Sequence, residues 1–178
     1  MIEENNRIEF RAKLLKIGTR TILRLPNSAS AKLPSRGMVM VEGTMNGFQF
    51  RAPLEPDGSK GHWLNIEKDM REAVRADECG TLSLEIAVSR VWPEPVVPED
   101  LKRALKKSEK ALEVWKCITP AAHWDWIRWI RSTRNPETRK NRIAVACSKL
   151  KSGIRRPCCF NRNLCSETDV SSNGVLLA

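Results

Sequence analysis

The sequence is poor in the residue types that most often build catalytic and metal sites. Its 178 residues include two histidines and no tyrosine, and aromatic residues make up 6% of the chain. It contains no Gly-x-Ser-x-Gly nucleophile elbow, no HExxH zinc motif and no glycine-rich phosphate-binding loop. These absences leave enzymatic activity undecided but favour a non-enzymatic protein, and we predict no catalytic residues and no cofactor.

Long apolar runs are also missing. No stretch approaches the roughly 18 to 20 consecutive apolar residues of a membrane-spanning helix, so we predict no membrane span. The opening residues, MIEENNR, are acidic and polar rather than basic and then apolar, which does not resemble a secretory signal. We therefore expect a cytoplasmic protein.

Cysteine is scarce as well. Six cysteines are too few for a disulfide scaffold, and a reducing cytosol would keep them as thiols. Cys158, Cys159 and Cys165 lie near one another in sequence, but no C-x-x-C pair is present and both histidines are distant, so we predict no metal. A second interpretation is that Arg155 and Arg156 stabilise a thiolate at Cys158 or Cys159 and make it reactive.

Positive charge, in contrast, is present in excess and is unevenly distributed. The formal net charge is +10. Residues 1–97 carry a net of +1, and residues 98–178 carry a net of +9. Residues 131–162 hold ten basic residues against a single acid, Glu137. This asymmetry indicates either a solvated helical surface or a surface in the second half that meets an anionic partner.

The first half of the chain has the pattern of short β-strands. Apolar residues alternate with polar ones in residues 7–17 and in residues 81–89, which is the period of a strand with one buried face. Residues 43–47 (GTMNG) accept positive φ between two apolar runs and predict a hairpin. About six such strands, with one short helix at residues 68–77, predict a small closed barrel, because closure removes exposed strand edges.

The period changes after a proline-rich segment that we interpret as a stiff linker. Beyond it, apolar residues recur at steps of three and four and predict three amphipathic helices. The first covers about five turns, to Trp115, and the others open at Thr119-Pro120 and Asn135-Pro136. We therefore expect an α+β protein made of a β-barrel domain, a linker, a helical domain and a flexible tail, at residues 1–92, 93–98, 98–157 and 158–178.

Three blocks of sequence resemble a known family. They are LPSRG with EGTMNG at residues 33–47, VPEDL at residues 97–101, and WI, ETR and GIRRP between residues 129 and 157. In this order they resemble the YdeI/OmpD-associated, or bacteriocin-protection, family, whose N-terminal barrel domain has no known function. The resemblance implies a double-split β-barrel followed by a helical module, and a role in stress or envelope protection. It implies no catalytic residues.

A basic helical face is the first candidate binding site. Trp124 lies outside the apolar stripe of its helix, so it either stacks on nucleic-acid bases or packs against the barrel or the linker. The turn at residues 132–136 lacks the tight, glycine-containing geometry of a helix-turn-helix, so binding would be electrostatic. The cations expected to contact an anionic partner, either nucleic acid or an acidic protein, are Arg128, Arg131, Arg139, Lys140, Arg142, Arg155 and Arg156.

The alternative site lies on the barrel, in the blocks that resemble the family. A small-ligand binder or an enzyme would use Arg36, Asn46, Arg51 and His62, and would gather them around a polar pocket. We predict, as the first hypothesis, a non-enzymatic accessory protein that binds an anionic partner through its helical domain. The barrel would then serve as a scaffold or as a homodimerisation surface.

Overall fold

The structure is a computed structural model that describes residues 6–178. Residues 1–5, which include the start of the predicted barrel domain and most of the segment compared with secretory signals, lie outside the described residues. The chain forms two compact units. The barrel unit contains the residues up to Val91 together with Arg162–Cys165 and Asp169–Ala178, and the helical unit contains Trp92–Asn161 and Ser166–Thr168.

The barrel unit is a closed sheet of six strands, which confirms the predicted barrel. Every neighbouring pair around the ring is antiparallel, in the order β1-β2-β5-β4-β3-β6. The strands are β1 (Ile8–Ile17), β2 (Arg20–Arg24), β3 (Val39–Met45), β4 (Phe48–Pro56), β5 (His62–Asn65) and β6 (Thr81–Val88). Two short helices connect them, α1 (Asn27–Ser30), which the sequence analysis missed, and α2 (Lys68–Ala73).

Local sequence explains how the barrel closes. In β1, Ile8, Ala12 and Leu14 are buried and the residues between them are mostly exposed, so one face of the strand fills the barrel. Asn46 and Gly47 have φ of 47° and 84° at the β3–β4 turn, as a tight hairpin requires. At Gly43, a Cβ would lie 1.9 Å from the carbonyl oxygen of Glu85, so only glycine lets β3 pair this closely with β6.

The end of the chain packs on the barrel unit, which differs from the flexible tail expected for residues 158–178. Two short strands, β7 (Ser171–Ser172) and β8 (Val175–Leu176), form a hairpin. A second core joins this segment to the outer side of β2 and β5, and it consists of Ile22, Trp63, Cys165, Val170 and Leu176. This packing was not predicted because the tail is mostly polar. Only three of its apolar side chains, Cys165, Val170 and Leu176, are needed to cover Ile22 and Trp63.

The helical unit contains four helices, α3 (Glu99–Lys106), α4 (Glu109–Cys117), α5 (Pro120–Arg131) and α6 (Pro136–Lys151). The predicted first helix is therefore two helices. Ser108 takes an extended conformation with φ −131°, and its hydroxyl accepts a hydrogen bond from the Ala111 amide at 3.4 Å, so it caps a new helix. The starts of α5 and α6 are as predicted, each with a capping side chain followed by proline.

The helical unit has its own core, separate from the barrel interior. Buried apolar residues of all four helices form it, among them Leu101, Leu105, Trp126, Ile143 and Leu150. α6 contacts α3, α4 and α5, so it is the central helix of the unit. Across the described residues, 6–178, none of the helices is long and apolar enough to cross a bilayer.

Candidate functional site

Arg139, one of the seven cations predicted to contact a partner, is held by an acid within the helical unit. Its guanidinium donates from Nε and Nη2 to the two carboxylate oxygens of Asp100, at 2.6 and 2.9 Å. This bidentate pair lowers the pKa of the Asp100 carboxyl, mainly through the hydrogen bonds from Arg139. The pair ties α6 to the first turn of α3, so Arg139 serves the fold.

Arg142 is also engaged within the helical unit. Its Nη1 donates to the carbonyl oxygen of Trp129 at 2.6 Å and to the hydroxyl of Ser132 at 2.8 Å. Its guanidinium carbon lies 5.5 Å from the centre of the Trp129 ring. The carbonyl belongs to the last turn of α5, where helix carbonyls lack partners within the helix, so Arg142 closes that helix end.

The two arginines predicted on α5 are similarly committed. Arg128 is 1% exposed and lies over the ring of Phe160, with 5.3 Å between the guanidinium carbon and the ring centre. Arg131 forms an ion pair with Glu167 at 2.9 Å and donates to Ser166 at 3.2 Å. Neither side chain presents a free cation, which corrects the predicted solvent face of Trp124 and these arginines.

The remaining three predicted cations are exposed, but they differ in their contacts. Arg156 donates to the carboxylate of Asp125, which is largely buried on α5. Arg155 has an exposed side chain, and its carbonyl oxygen accepts a hydrogen bond from the indole of Trp126 at 2.9 Å. Lys140 is exposed on α6. Of the seven, only Lys140 and Arg155 have no side-chain partner within residues 6–178.

A denser group of free cations lies on α3 and at the start of α4, where the sequence analysis did not place a site. Arg103, Lys106, Lys107 and Lys110 are all exposed, and none has a side-chain partner within the described part of the chain. We call these four residues the α3–α4 basic surface. Leu101 is fully buried on the opposite side of α3, so the helix is sharply amphipathic.

A signal for this surface was present in the sequence. Residues 102–110 contain five basic residues against one acid, Glu109. Lys102 forms an ion pair with Glu99 at 3.7 Å, and the other four cations have no side-chain partner in residues 6–178. The longer run at residues 131–162 contains more cations, but most of them meet acids, carbonyls or aromatic rings in the fold.

The proline-rich linker is held against α5 by two side chains. The indole nitrogen of Trp124 donates to the carbonyl oxygen of Pro93 at 2.9 Å. Nδ1 of His123 lies 2.6 Å from the Glu94 carboxylate, and Nε2 lies 2.7 Å from the carbonyl oxygen of Trp115. Trp124 therefore packs on the linker, one of the alternatives considered above, and His123 has a structural environment.

The barrel residues of the alternative site are distributed over several places. His62 is fully buried, and its Nε2 lies 3.0 Å from the carbonyl oxygen of Gly37. Burial lowers the pKa of this imidazole more than the backbone hydrogen bond to Gly37 raises it. Arg36 donates to the carbonyl oxygens of Lys60 at 3.2 Å and Ser30 at 3.4 Å. Neither side chain lines the two barrel grooves described next.

Arg51 and Asn46 line different shallow grooves on the barrel, of about 630 and 500 Å³, which share Thr44 and Glu85. Arg51 donates to a carboxylate oxygen of Glu42 at 2.9 and 3.0 Å, and these bonds are the main reason why the pKa of Glu42 is lowered. The side-chain oxygen of Asn46 accepts from the Ser83 amide at 2.9 Å. The four residues therefore do not converge on one pocket.

The cysteines lie in different environments. Cys165 is buried in the barrel unit, whereas Cys158 and Cys159 are exposed in the helical unit. In the part of the chain that the structure describes, no group of three histidine, cysteine or acidic side chains is placed to hold a metal ion.

Comparison with known families assigns each unit. Residues 94–153 match the family described as Bacteriocin-protection, YdeI or OmpD-Associated, and residues 10–86 match a domain of unknown function (DUF1905). No curated protein matches the chain significantly. The match to the domain of unknown function lies in the barrel unit, and the other match lies in the helical unit. Along the chain, the barrel domain therefore precedes the helical one, as the resemblance predicted. The helical unit is therefore similar to the bacteriocin-protection, YdeI or OmpD-associated family, and the barrel unit is similar to a domain of unknown function.

Proposed function

We propose that the helical unit binds a polyanion through the α3–α4 basic surface and that the protein acts as a non-enzymatic accessory factor. The observation that carries the proposal is the exposure of Arg103, Lys106, Lys107 and Lys110 without acidic partners among residues 6–178. An anion that reaches them displaces solvent and counterions, but it breaks no internal ion pair. At Arg139 it would have to compete with Asp100.

The placement of these cations on the helices supports the same conclusion. Arg103 and Lys106 are three residues apart on α3, and Lys107, four residues after Arg103, caps the helix in a helical conformation, so the three project from the same side. Lys110 lies in the first turn of α4, beyond the Ser108 cap. Leu101 and Leu105 anchor the opposite side of α3 in the core, which gives the surface a fixed support.

Nucleic acid is the partner that we propose, and an acidic protein is the competing outcome. Lysine side chains dominate the surface, and lysine contacts phosphates as a flexible point charge rather than reading base edges. We therefore expect binding that depends on charge and not on base sequence. Four phosphate contacts on duplex DNA correspond to a log–log salt slope of about −3.6.

The test uses two variants with equal loss of charge. One replaces Arg103, Lys106, Lys107 and Lys110 by Gln. The control replaces Arg11, Lys13, Lys32 and Lys60 by Gln, because these are also exposed cations without side-chain partners within residues 6–178 but belong to the barrel unit. Binding of a fluorescent duplex of about 20 base pairs is measured by anisotropy over a range of salt concentrations.

We expect the first variant to lose most of its affinity at low salt and its salt slope to become shallower by about three to four. The control should stay close to the wild-type protein. Equal losses in both variants would show that net charge alone governs binding and would contradict the proposed surface. Absence of duplex binding by the wild-type protein at low salt would exclude nucleic acid and favour an acidic protein as partner.

A further inference from the structure

A cysteine and a lysine form a close pair on the helical unit, apart from the α3–α4 basic surface. Nζ of Lys149, near the end of α6, donates to Sγ of Cys158 at 3.0 Å. Cys158 is exposed, and the next residue, Cys159, is an exposed thiol with a positive φ of 59°. An ammonium group in contact with an accessible sulfur favours the thiolate form, which is the nucleophile in cysteine chemistry.

We propose that Cys158 is a site of S-thiolation, at which its thiolate reacts with a small anionic disulfide of the glutathione type. The Cys158 sulfur attacks one sulfur of the disulfide and forms a mixed disulfide with it. The old sulfur–sulfur bond breaks, and its electron pair leaves with the second sulfur as a free thiolate. The Cys158 sulfur is oxidised as the departing sulfur is reduced, so the small disulfide is itself the oxidant and no other is consumed.

The other cysteines lack this combination of features. Cys165 is buried in the barrel unit, and burial raises the pKa of the partly buried Cys147 thiol. Cys79 and Cys117 are exposed, but neither has a cationic partner in the described chain. The hydrogen bond from Lys149 is the main reason why the pKa of Cys158 is lowered. These differences predict that Cys158 reacts faster than the other exposed thiols.

The charge around Cys158 favours an anionic reagent. Arg155, three residues earlier, has an exposed side chain with no partner in the described chain, and Lys149 contacts the sulfur itself. Oxidised glutathione carries carboxylates that such cations attract. A neutral disulfide should therefore discriminate less between Cys158 and the other exposed thiols than oxidised glutathione does.

The experiment measures where the full-length protein is modified first. Reduced protein is treated at neutral pH with less than one equivalent of oxidised glutathione, digested without reduction and mapped by mass spectrometry. A Cys159→Ser background keeps the assignment to Cys158 unambiguous. We expect Cys158 to react at least about threefold faster than Cys79 and Cys117. As a thiol becomes more acidic, its thiolate fraction at neutral pH rises faster than the nucleophilicity of that thiolate falls. Equal or faster reaction at Cys79 or Cys117 would overturn the proposal.

A pair of matched variants tests the role of the lysine. Lys149→Met removes the ammonium group that contacts Cys158 and keeps the length of the side chain. Lys151→Met makes the same change at an exposed lysine without a partner in the described residues. We expect the Lys149 variant to bring Cys158 down to the rate of Cys117, and the Lys151 variant to keep most of the selectivity. Unchanged selectivity in the Lys149 variant would contradict the proposal, whether or not the protein binds nucleic acid.

Discussion

Arg139 donates two hydrogen bonds to Asp100, 39 residues earlier in the chain, and so joins the first turn of α6 to the first turn of α3. A count of charges along the sequence scores Arg139 as a surface cation. In the folded unit it is one half of a bidentate ion pair, and most of the neighbouring arginines are engaged in a comparable way. Four cations without a side-chain partner in residues 6–178 lie together instead at the end of α3 and the start of α4.

Arg142 should stabilise the helical unit, whereas its neighbour Lys140 should not. Arg142→Ala removes the hydrogen bonds to the Trp129 carbonyl and the Ser132 hydroxyl, and we expect a loss of about 1–2 kcal/mol in the free energy of unfolding. Lys140→Ala should change it by less than about 0.5 kcal/mol, because Lys140 is exposed without a side-chain partner in residues 6–178.

Urea unfolding followed by tryptophan fluorescence measures both variants. All tryptophans except Trp63 belong to the helical unit, so this signal reports mainly on that unit. Equal stability of the Arg142 and Lys140 variants would contradict the structural role assigned to Arg142.

Leu176 should be a core residue of the barrel unit although it is the third residue from the end of the chain. It is 6% exposed and packs in the cluster with Ile22 and Trp63, whereas its neighbour Leu177 is 58% exposed. We expect Leu176→Ala to cost about 2–3 kcal/mol and Leu177→Ala less than about 0.5 kcal/mol.

Hydrogen exchange followed by mass spectrometry measures this loss of stability in the strands that Leu176 covers. The amides of β2 and β5 should exchange faster in the Leu176 variant and be unchanged in the Leu177 variant. A Leu176 variant with wild-type exchange in both strands would show that the terminal segment does not cover the barrel in solution.

His62 should make the barrel unit sensitive to mild acid. Burial lowers the pKa of its imidazole below 6.5, and the opposing effect of Asp57 is smaller. The unfolded chain therefore takes up this proton at a higher pH than the folded chain does. The contribution of His62 to the free energy of unfolding is therefore fully present above about pH 6.5. It is lost as the pH falls through the lowered pKa of the folded state.

A His62→Gln variant isolates this contribution, because the amide can still donate toward the Gly37 carbonyl but does not titrate. Between about pH 7.5 and pH 5.5, the wild-type protein should lose more stability than the variant, as measured by denaturant unfolding at each pH. Equal losses would mean that His62 is protonated as readily in the fold as in the unfolded chain.

The sequence was most informative where structure depends on neighbouring residues. Alternation in residues 7–17 predicted β1, and the Thr119-Pro120 and Asn135-Pro136 pairs predicted the starts of α5 and α6. The Asn173-Gly174 pair is a similar local signal for a hairpin, and it lies at the turn between β7 and β8. The polar composition around it led to the prediction of a flexible tail.

The partners of the arginines could not be predicted in the same way. Asp100 and Arg139 meet only because α3 and α6 pack together, and the acceptor of Arg142 is a backbone carbonyl that no side-chain pattern reveals. Ser108 is a mixed case. Ser108 lies on the apolar stripe of the predicted long helix. Serine also prefers the first position of a helix, and this preference could have indicated that a second helix begins there.

Lysine footprinting shows whether DNA binds at the α3–α4 basic surface, because it locates the bound polyanion on the wild-type protein. Exposed lysines are acetylated with and without duplex DNA at low salt, and modification at each lysine is quantified by mass spectrometry. We predict that the duplex protects Lys106, Lys107 and Lys110 and leaves Lys13, Lys32 and Lys60 unchanged. Protection confined to Lys140 and Lys151 on α6, or spread equally over both units, would show that the polyanion does not bind at the α3–α4 basic surface.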